Sequence, residues 1–292
     1  MPLWKPRMPR HDARAEAVNP GRPPVVETVR VAETGSTNAD LLAWVHDAAA
    51  GMALRPRALV ADRQTAGRGR RGRSWQAAPG ASLTFSLAWP LATADLSGLS
   101  LAVGVALAEA LDPRPAAALR IGLKWPNDLW LVGADEPGRK LGGVLIETAP
   151  HGDGRIAVIG VGLNLLEQRV DDASSGVAWL GEIDAAATAA LLLERLVPAL
   201  ADALHSFERA GFAAFAARFA GRDLLQGLPI RCGAEGGTRL DGIAAGVSAT
   251  GELLVRTPGG VERIVSGEVS VRLDEPSAAS AQRQLTPPRV PC

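Results

Sequence analysis

The sequence contains 292 residues, which is enough for one large and one small domain. Hydrophobic residues make up 47% of it and charged residues 21%, as in ordinary globular proteins. Its formal net charge is zero, which argues against a protein whose main task is to neutralise the phosphates of a nucleic acid.

The elements predicted in the first three quarters of the chain alternate between strands and helices. Strands are predicted, in chain order, at residues 25–31, 58–62, 83–89, 119–125, 129–132, 140–148 and 155–165. Helices are predicted at residues 38–49, 97–111 and 185–220, with Ser36 or Thr37 as the N-cap of the first and Pro198 breaking the last into two. Residues 150–154 predict a hairpin turn. This mixture predicts an α+β catalytic domain with a mixed β-sheet over residues 25–222.

Short alternating segments follow, with turn glycines between them, over residues 229–272. This texture is typical of a small β-barrel, which we place at residues 223–275. Residues 1–24 are rich in proline and arginine and lack hydrophobic periodicity, which predicts a disordered tail. Residues 276–292 have the same character.

The cellular environment is predicted from cysteine usage and hydropathy. Cys232 and Cys292 have no metal-ligand spacing, so neither a disulfide framework nor a metal site is predicted, and a reducing cytoplasm fits. The N-terminal segment has no apolar core of a secretory signal. The longest apolar stretch, residues 99–111, contains Glu109 and is too short to span a bilayer. We therefore expect a soluble cytoplasmic protein that does not bind membranes.

The most informative segment is DRQTAGRGRRGRSW, residues 62–75, in which three glycines alternate with four arginines. Glycine lets a backbone approach a ligand closely, successive N–H groups can hold an anion, and arginine binds carboxylate or phosphate with two donors. Such a loop suits two anions that must be brought together. Taken alone, the segment is equally compatible with an arginine-rich linker or an RNA-binding tract. Its spacing matches neither the P-loop nor the dinucleotide-binding motif.

Four further motifs have a structural and a functional interpretation. KWPND, residues 124–128, places Lys124 at a strand end, where it could meet a carboxylate or phosphate, although the motif taken alone favours a turn with a solvated lysine. GSTN, residues 35–38, fits an N-cap or a ring of polar groups around a ligand. RKLGG, residues 139–143, and GVGLN, residues 160–164, place glycines in strands, which indicates sheet packing or the close approach of a ligand or another backbone.

The five motifs in this order closely resemble those of the biotin protein ligase family, and the resemblance covers roughly residues 26–272. It implies a mixed-sheet catalytic domain of the class II synthetase-like, biotin–lipoate ligase type, followed by an SH3-like domain. It also implies that the protein activates biotin with ATP as biotinyl-5′-AMP, with Mg²⁺, and transfers the biotin to a lysine of a biotin carboxyl carrier protein.

The resemblance also implies roles for individual residues. The biotin-binding residues would be Ser36, Thr37, Asn38, Gln64, Arg68, Gly69, Arg70 and Lys124. The nucleotide-binding residues would be Arg70, Arg71, Trp75, Lys140, Asn164 and, in the terminal motif GEVSVR, Arg272. Lys124, Arg68 and Arg70 would be the catalytic residues, because they offset the repulsion between the carboxylate and the phosphate.

Three alternatives remain open at this point: a lipoate-type ligase, which shares the fold, a ligase that is also a DNA-binding repressor, and a nucleic-acid-binding module that uses the arginine tract. The last of these does not explain KWPND, GSTN or the net charge of zero. We expect no sequence-specific DNA binding, because the residues ahead of the first predicted strand are too few and too rich in proline for a helix-turn-helix domain. A monomer and a homodimer are both compatible with the sequence.

Overall fold

The computed structural model describes residues 23–48, 52–93, 95–114, 120–133, 138–168, 176–233 and 240–265, and the backbone of residues 270–273. The predicted tails lie outside these residues, apart from positions 23 and 24. The chain divides into two compact units, Met1–Leu224 with Ala249–Gly251 and Leu225–Ser248 with Glu252–Cys292. The domain limits at residues 25, 222 and 275 stay a prediction.

One mixed sheet of seven strands forms the centre of the first unit, in the order β1-β2-β3-β7-β6-β5-β4. The strands are β1 Glu27–Thr34, β2 Arg57–Gln64, β3 Ser82–Leu91, β4 Ile121–Lys124, β5 Asp128–Leu131, β6 Arg139–His151 and β7 Gly154–Asn164. β1 and β2 are parallel, and the other neighbours are antiparallel. The mixed sheet and the hairpin between β6 and β7 are therefore as predicted.

The described residues of this unit form four α-helices: α1 Thr37–His46, α2 Leu99–Leu111, α3 Ala189–Ala210 and α4 Ala216–Ala220. Ser36 is the N-cap of α1, which decides between the two predicted caps. The predicted break at Pro198 is wrong, because α3 runs through this residue. Its buried apolar stripe outweighs the one backbone hydrogen bond that proline removes. The helix ends instead at Gly211, whose φ of 60° is unfavourable for other residues.

The two faces of the sheet differ because side chains alternate along each strand. On one face, α1 packs against Leu59, Ala88, Ala149 and Val158 and closes a hydrophobic cluster. On the other face, α2 packs against β4, β5 and β6, and α3 packs against β3. α1 covers only part of its face, so polar residues further along the same strands are left to form a site.

The second unit is a small antiparallel sheet in the order β11-β10-β9-β8-β12. Its strands are β8 Pro229–Gly233, β9 Leu240–Val247, β10 Leu253–Thr257, β11 Gly260–Ile264 and β12 Ser270–Leu273. Ile230, Cys232, Leu253 and Val255 are buried in its core. This agrees with the predicted small SH3-like domain. Among the described residues of the whole chain, no helix combines the length and the apolarity that crossing a membrane requires.

Candidate functional site

A patch of glycines lies on the sheet face that α1 leaves open. Gly143 pairs with Gly162, and Gly160, two residues earlier on β7, points to the same side. A Cβ atom at Gly160 would lie 2.4 Å from Asn38 Oδ1, and one at Gly162 would lie 2.5 Å from Trp75 Cε2. The close approach predicted for these strand glycines is therefore made by two side chains, Asn38 and Trp75.

A buried polar network joins the start of α1 to this face. Thr37 donates from its backbone N to Gln64 Oε1 over 2.8 Å, and its Oγ lies 2.7 Å from Ser86 Oγ. Ser86 Oγ donates to Asn38 Oδ1 over 2.5 Å. Asn38 Nδ2 donates to Glu147 Oε2 over 2.8 Å. The structure thus brings three of the predicted biotin-binding residues together and adds Ser86 and Glu147.

The glycine–arginine segment folds back on itself as a short hairpin. Trp75 N donates to the Gly67 carbonyl over 2.9 Å, and Gly69 N donates to the Arg73 carbonyl over 2.7 Å. Between them, residues 70–72 form one 3₁₀ turn. The hairpin lies against the glycine patch through Trp75, whose Nε1 is buried without a hydrogen-bond acceptor.

Two arginines of this hairpin reach over the open face. Arg68 Nη1 lies 3.7 Å from Glu147 Oε1, and Arg70 Nη1 donates to Asn127 Oδ1 over 3.2 Å. The pKa of Arg70 is lowered from its ordinary value, chiefly because the guanidinium is partly buried; Asp128 opposes this effect and Arg71 adds to it. Arg71 itself is exposed. Arg70 therefore holds a partly buried positive charge, whose attraction for an anion is stronger than that of a fully exposed one.

The KWPND motif forms the tight turn between β4 and β5. Lys124 and Asp128 are paired across the two strands and share the face of Gly143. The Lys124 ammonium lies 4.2 Å from the centre of the Trp130 ring. Asn127 Nδ2 donates to the Val144 carbonyl over 2.8 Å, which fixes the amide that accepts from Arg70. The motif thus places one lysine and one carboxylate beside the arginine hairpin.

A β-bulge brings Lys140 to the same face. Strict alternation from Gly143 would turn Lys140 to the opposite side, but the register between β5 and β6 shifts near Trp130. Lys140 consequently pairs with Trp130, and its Nζ lies 2.7 Å from Asp128 Oδ1. Bulges commonly re-aim a side chain in this way beside functional sites.

The other predicted residues are less central. Ser36 is buried and accepts a hydrogen bond from Ala39 N, as a helix cap. Asn164 is buried at the end of β7, where it donates to the Ala178 carbonyl and accepts from Gln168. The backbone of Arg272 lies in β12 beside Arg231, but its side chain is outside the description.

Four polar residues of the site are absent from the predicted set: Ser86, Asn127, Asp128 and Glu147. Asn127 and Asp128 belong to the KWPND motif, so the sequence already indicated that they lie next to Lys124. Ser86 and Glu147 were signalled only as isolated polar residues in the apolar runs LTFSLAW and VLIE. In the part of the chain that the structure describes, no three His, Cys, Asp or Glu side chains group as metal ligands. A cavity of about 310 Å³ lies elsewhere, lined by residues such as Arg30, Asp62 and Thr188.

Two protein-family models match this chain. Residues 53–164 match the model of the biotin/lipoate A/B protein ligase family. Residues 229–272 match the model of the biotin protein ligase C-terminal domain. The two matches cover strands β2 to β7 with the glycine patch, and the small antiparallel unit.

Individual proteins agree with these matches. The chain is 36% identical to the bifunctional ligase/repressor BirA of Salmonella typhimurium, over 75% of this chain and 67% of that protein. It is 34% identical to the biotin–[acetyl-CoA-carboxylase] ligase of Mycobacterium tuberculosis, over 82% and 86%. The solved structure of a biotin protein ligase from Aquifex aeolicus in complex with biotin and ATP is similar with a TM-score of 0.68 and 28% identity, covering 85% of this chain and 99% of that one.

Proposed function

Because the chain belongs to the biotin protein ligase family, we propose that its open sheet face is the site where biotin and ATP react. The protein is a ligase that activates biotin with ATP, forming biotinyl-5′-AMP and pyrophosphate. It then transfers the biotin to the ε-amino group of a lysine. We expect the acceptor to be a biotin carboxyl carrier protein, and the reaction to take place in the cytoplasm.

The observation that supports this function best is the convergence of four cationic side chains on one sheet face. Arg68 and Arg70 reach it from the hairpin, Lys124 from the end of β4, and Lys140 through the bulge in β6. The biotin carboxylate must attack the α-phosphorus of ATP, and these two anions repel each other. Fixed positive charges offset the repulsion and stabilise the charge that develops in the transition state.

We assign the substrates to the two ends of this face. Biotin would lie against the buried network at the start of α1. Its site would comprise Ser36, Thr37, Asn38, Gln64, Arg68, Gly69, Arg70 and Lys124. The nucleotide would lie toward Trp75 and the bulge. Its site would comprise Arg70, Arg71, Trp75, Lys140, Asn164 and Arg272.

Mg²⁺ fits this site as an ion that enters with ATP. It is usually held by one or two protein carboxylates together with substrate phosphates, rather than by a cage of protein ligands. Asp128, which lies beside Asn127 and is paired with Lys140, would be that carboxylate. When bound, the ion would neutralise phosphate charge, while the arginines and lysines orient the two substrates.

Transfer requires that the mixed anhydride survive until the carrier lysine arrives. The hairpin of residues 67–75 would cover it and exclude water. The lipoate-type alternative is not favoured, because named relatives and the C-terminal family match both point to biotin. The repressor alternative has no observation among the described residues in its favour.

The decisive experiment supplies the purified protein with ATP, Mg²⁺ and either biotin or lipoate. Mass spectrometry should detect biotinyl-AMP and release of pyrophosphate with biotin only. Addition of an isolated carrier domain should then yield a product biotinylated on one lysine, and a carrier with that lysine changed to arginine serves as the control. Lipoyl-AMP without biotinyl-AMP would reverse the assignment.

A further inference from the structure

Glu147 is the half-buried acid at which the buried hydrogen-bond network ends. Its side chain is 29% exposed, and its Oε2 accepts from Asn38 Nδ2 over 2.8 Å. We infer that Glu147 is a positioning residue, which fixes the hydrogen-bond direction along Asn38, the fully buried Ser86 and Thr37, and thereby whether Asn38 and Thr37 present acceptors or donors to the ligand. This inference rests on the proposed function, since it takes biotin to lie against this network with its ureido ring, the part of biotin that carries N–H groups.

The two hydrogen atoms of the Asn38 amide explain why Glu147 is important. A carboxylate only accepts hydrogen bonds, so the Asn38 amide must turn its Nδ2 toward Glu147. The second hydrogen of Nδ2 points to the Leu145 carbonyl, 3.3 Å away. Both donors of the amide are therefore used within the protein. Only the oxygen, Oδ1, keeps capacity for another partner.

The hydroxyl groups of Ser86 and Thr37 also donate their hydrogen bonds in a single direction, toward Asn38. Asn38 Oδ1 can only accept, so Ser86 gives it its single proton over 2.5 Å. Thr37 Oγ lies 2.7 Å from Ser86 Oγ and must therefore be the donor of that pair. Its second contact, 3.0 Å to Gln64 Oε1, is longer, and that oxygen already accepts from Thr37 N. All three side chains have then used their protons, and lone pairs are what they have left.

A pocket floor with only lone pairs selects ligands that offer N–H groups. The ureido ring of biotin carries two N–H groups, whereas a cyclic carbamate analogue, with one N–H replaced by oxygen, places a lone pair against a lone pair. Buried polar groups left without partners are costly, so the analogue should be rejected. Without Glu147, only the longer contact to the Leu145 carbonyl, 3.3 Å, would hold the Asn38 amide in this orientation, so the amide would turn over more readily and offer its N–H instead.

The ion pair with Arg68 does not explain this role. At 3.7 Å the two groups are too far apart for a hydrogen bond, and Arg68 is half exposed. Such pairs contribute little, because water screens them. The shorter, more buried contact with Asn38 is therefore the one that should determine selectivity, and a glutamine at position 147 separates the two effects. Its Oε1 can still accept from Asn38, but it carries no charge for Arg68.

The test compares biotin with the cyclic carbamate analogue in adenylate formation by the wild type, Glu147→Gln and Glu147→Leu. Glu109→Gln, which removes a carboxylate from a partly exposed ion pair with Arg218, is the matched control. The wild type and Glu109→Gln should favour biotin in KM by about 10–100-fold. Glu147→Gln should keep this preference. Glu147→Leu should reduce it to about threefold or less, with a smaller change in kcat than in the KM for biotin.

Thermal unfolding of each variant checks that it is folded. If Glu147→Leu does not fold, Glu147→Ala removes the same acceptor without adding apolar bulk and should likewise reduce the preference. A folded Glu147→Leu with the wild-type preference for biotin would overturn the inference. It would also be overturned if Glu147→Gln lost this preference to the same extent as Glu147→Leu. A wild type that forms no biotinyl-AMP would overturn the proposed function as well. One that forms it but accepts both ligands equally would overturn the inference alone.

Discussion

At the residue scale, we expect Lys124 to contribute more to charge in the site than to the stability of the fold. Its ammonium lies 4.2 Å from the centre of the Trp130 ring, at the end of a strand. Such a cation–π contact contributes roughly 0.5–1 kcal/mol to stability, whereas a contact that tightens in the transition state is worth roughly 2–4 kcal/mol. The two effects are therefore separable by mutation.

We predict that Lys124→Ala lowers the rate of adenylate formation by roughly 10²–10³-fold while the protein stays folded. Biotin-dependent pyrophosphate release measures the rate, and urea unfolding measures stability. Arg155→Ala, which removes a cation from the exposed start of β7, is the control and should leave both values unchanged. Near wild-type release from folded Lys124→Ala would remove Lys124 from the site.

Cys232 has a thiol whose reactivity is lowered by burial. Burial in the core of the second unit, with a smaller effect of Asp241, raises the pKa of the Cys232 thiol to about 11. A raised pKa disfavours the thiolate, which is the nucleophile, so only about a thousandth of the thiol is ionised near pH 8. In a Cys292→Ser variant, Cys232 should resist iodoacetamide at this pH and react fast in guanidinium. Mass spectrometry measures the labelling, and equal rates would contradict the burial.

At the element scale, the hairpin of residues 67–75 carries four arginines, and few backbone hydrogen bonds hold it together. Among the described backbone hydrogen bonds, two join its strands and one closes its turn. Its arginines repel each other until an anion neutralises them. Binding that neutralises and orders such a segment couples one substrate to the next.

We predict that trypsin cleaves between Arg68 and Arg73 quickly in the protein alone and several-fold more slowly with biotin. The reason is that a bound carboxylate and the ordered hairpin remove the accessible conformations that a protease requires. Cleavage at Arg155, in the β6–β7 hairpin, provides the internal control and should be unaffected. Cleavage of residues 68–73 at one rate in both conditions would count against ordering by the ligand.

Asp112 is a buried acid that joins the end of α2 to the start of β4. Its Oδ2 accepts from the backbone N of Arg120 and of Ile121 over 2.6 and 2.9 Å, and Arg114 donates to its Oδ1. Burial acts to raise the pKa of Asp112, but these hydrogen bonds and the charge of Arg114 outweigh it, and the pKa lies below its usual value. The carboxylate therefore stabilises the fold in its charged form.

We predict that Asp112→Asn destabilises the protein by about 2–4 kcal/mol at neutral pH, because the amide N–H group faces two backbone donors. The stabilisation from the lowered pKa is complete above the unfolded pKa of about 4 and is lost as the pH falls through the lower folded value. Urea unfolding between pH 7 and pH 3 should show the two proteins converging in acid. Asp153→Asn, in the exposed hairpin turn, should have little effect at any pH.

At the scale of the whole molecule, the balance of charge decides which macromolecules can bind. The formal net charge is zero, and many surface arginines are paired with acids on neighbouring strands, as Arg30 is with Asp62 and Arg231 with Asp241. Tight, sequence-specific DNA binding needs an uncompensated cationic surface, which supplies salt-sensitive affinity for the phosphates, and groups that read base edges. We expect the four cations of the site to bind small anions instead.

We predict that the protein does not bind DNA sequence-specifically, even with biotin and ATP. Fluorescence anisotropy with DNA from its own biotin-synthesis promoter, against a scrambled duplex of equal length, is the measurement. Weak binding that is equal for both duplexes and disappears with added salt agrees with the prediction. Preference for the promoter that survives moderate salt would instead support the bifunctional alternative.

Much of the fold and part of the site could be predicted from particular residues. Alternation in VLIET and GVGLN indicated two neighbouring strands, and the Pro150–Gly154 segment indicated the turn between them. Glycine at 160 and 162 indicated a close approach, which a missing Cβ makes possible. The predicted helix break at Pro198 is wrong. The sequence shows that a proline removes a backbone hydrogen bond, but it does not show the packing of α3 that compensates for this loss.

The sequence by itself determined the order of the motifs, the chemical types in each and the family that the set resembles. These depend on local spacing and residue chemistry, which a chain displays without folding. The tertiary structure alone decided which distant residues meet: Asn38 contacts Glu147 across 109 positions, and a bulge turns Lys140 toward Asp128. Contacts of this kind depend on strand register and on proton-by-proton matching of buried groups. Those follow from the energy of the whole packed molecule rather than from any short segment of it.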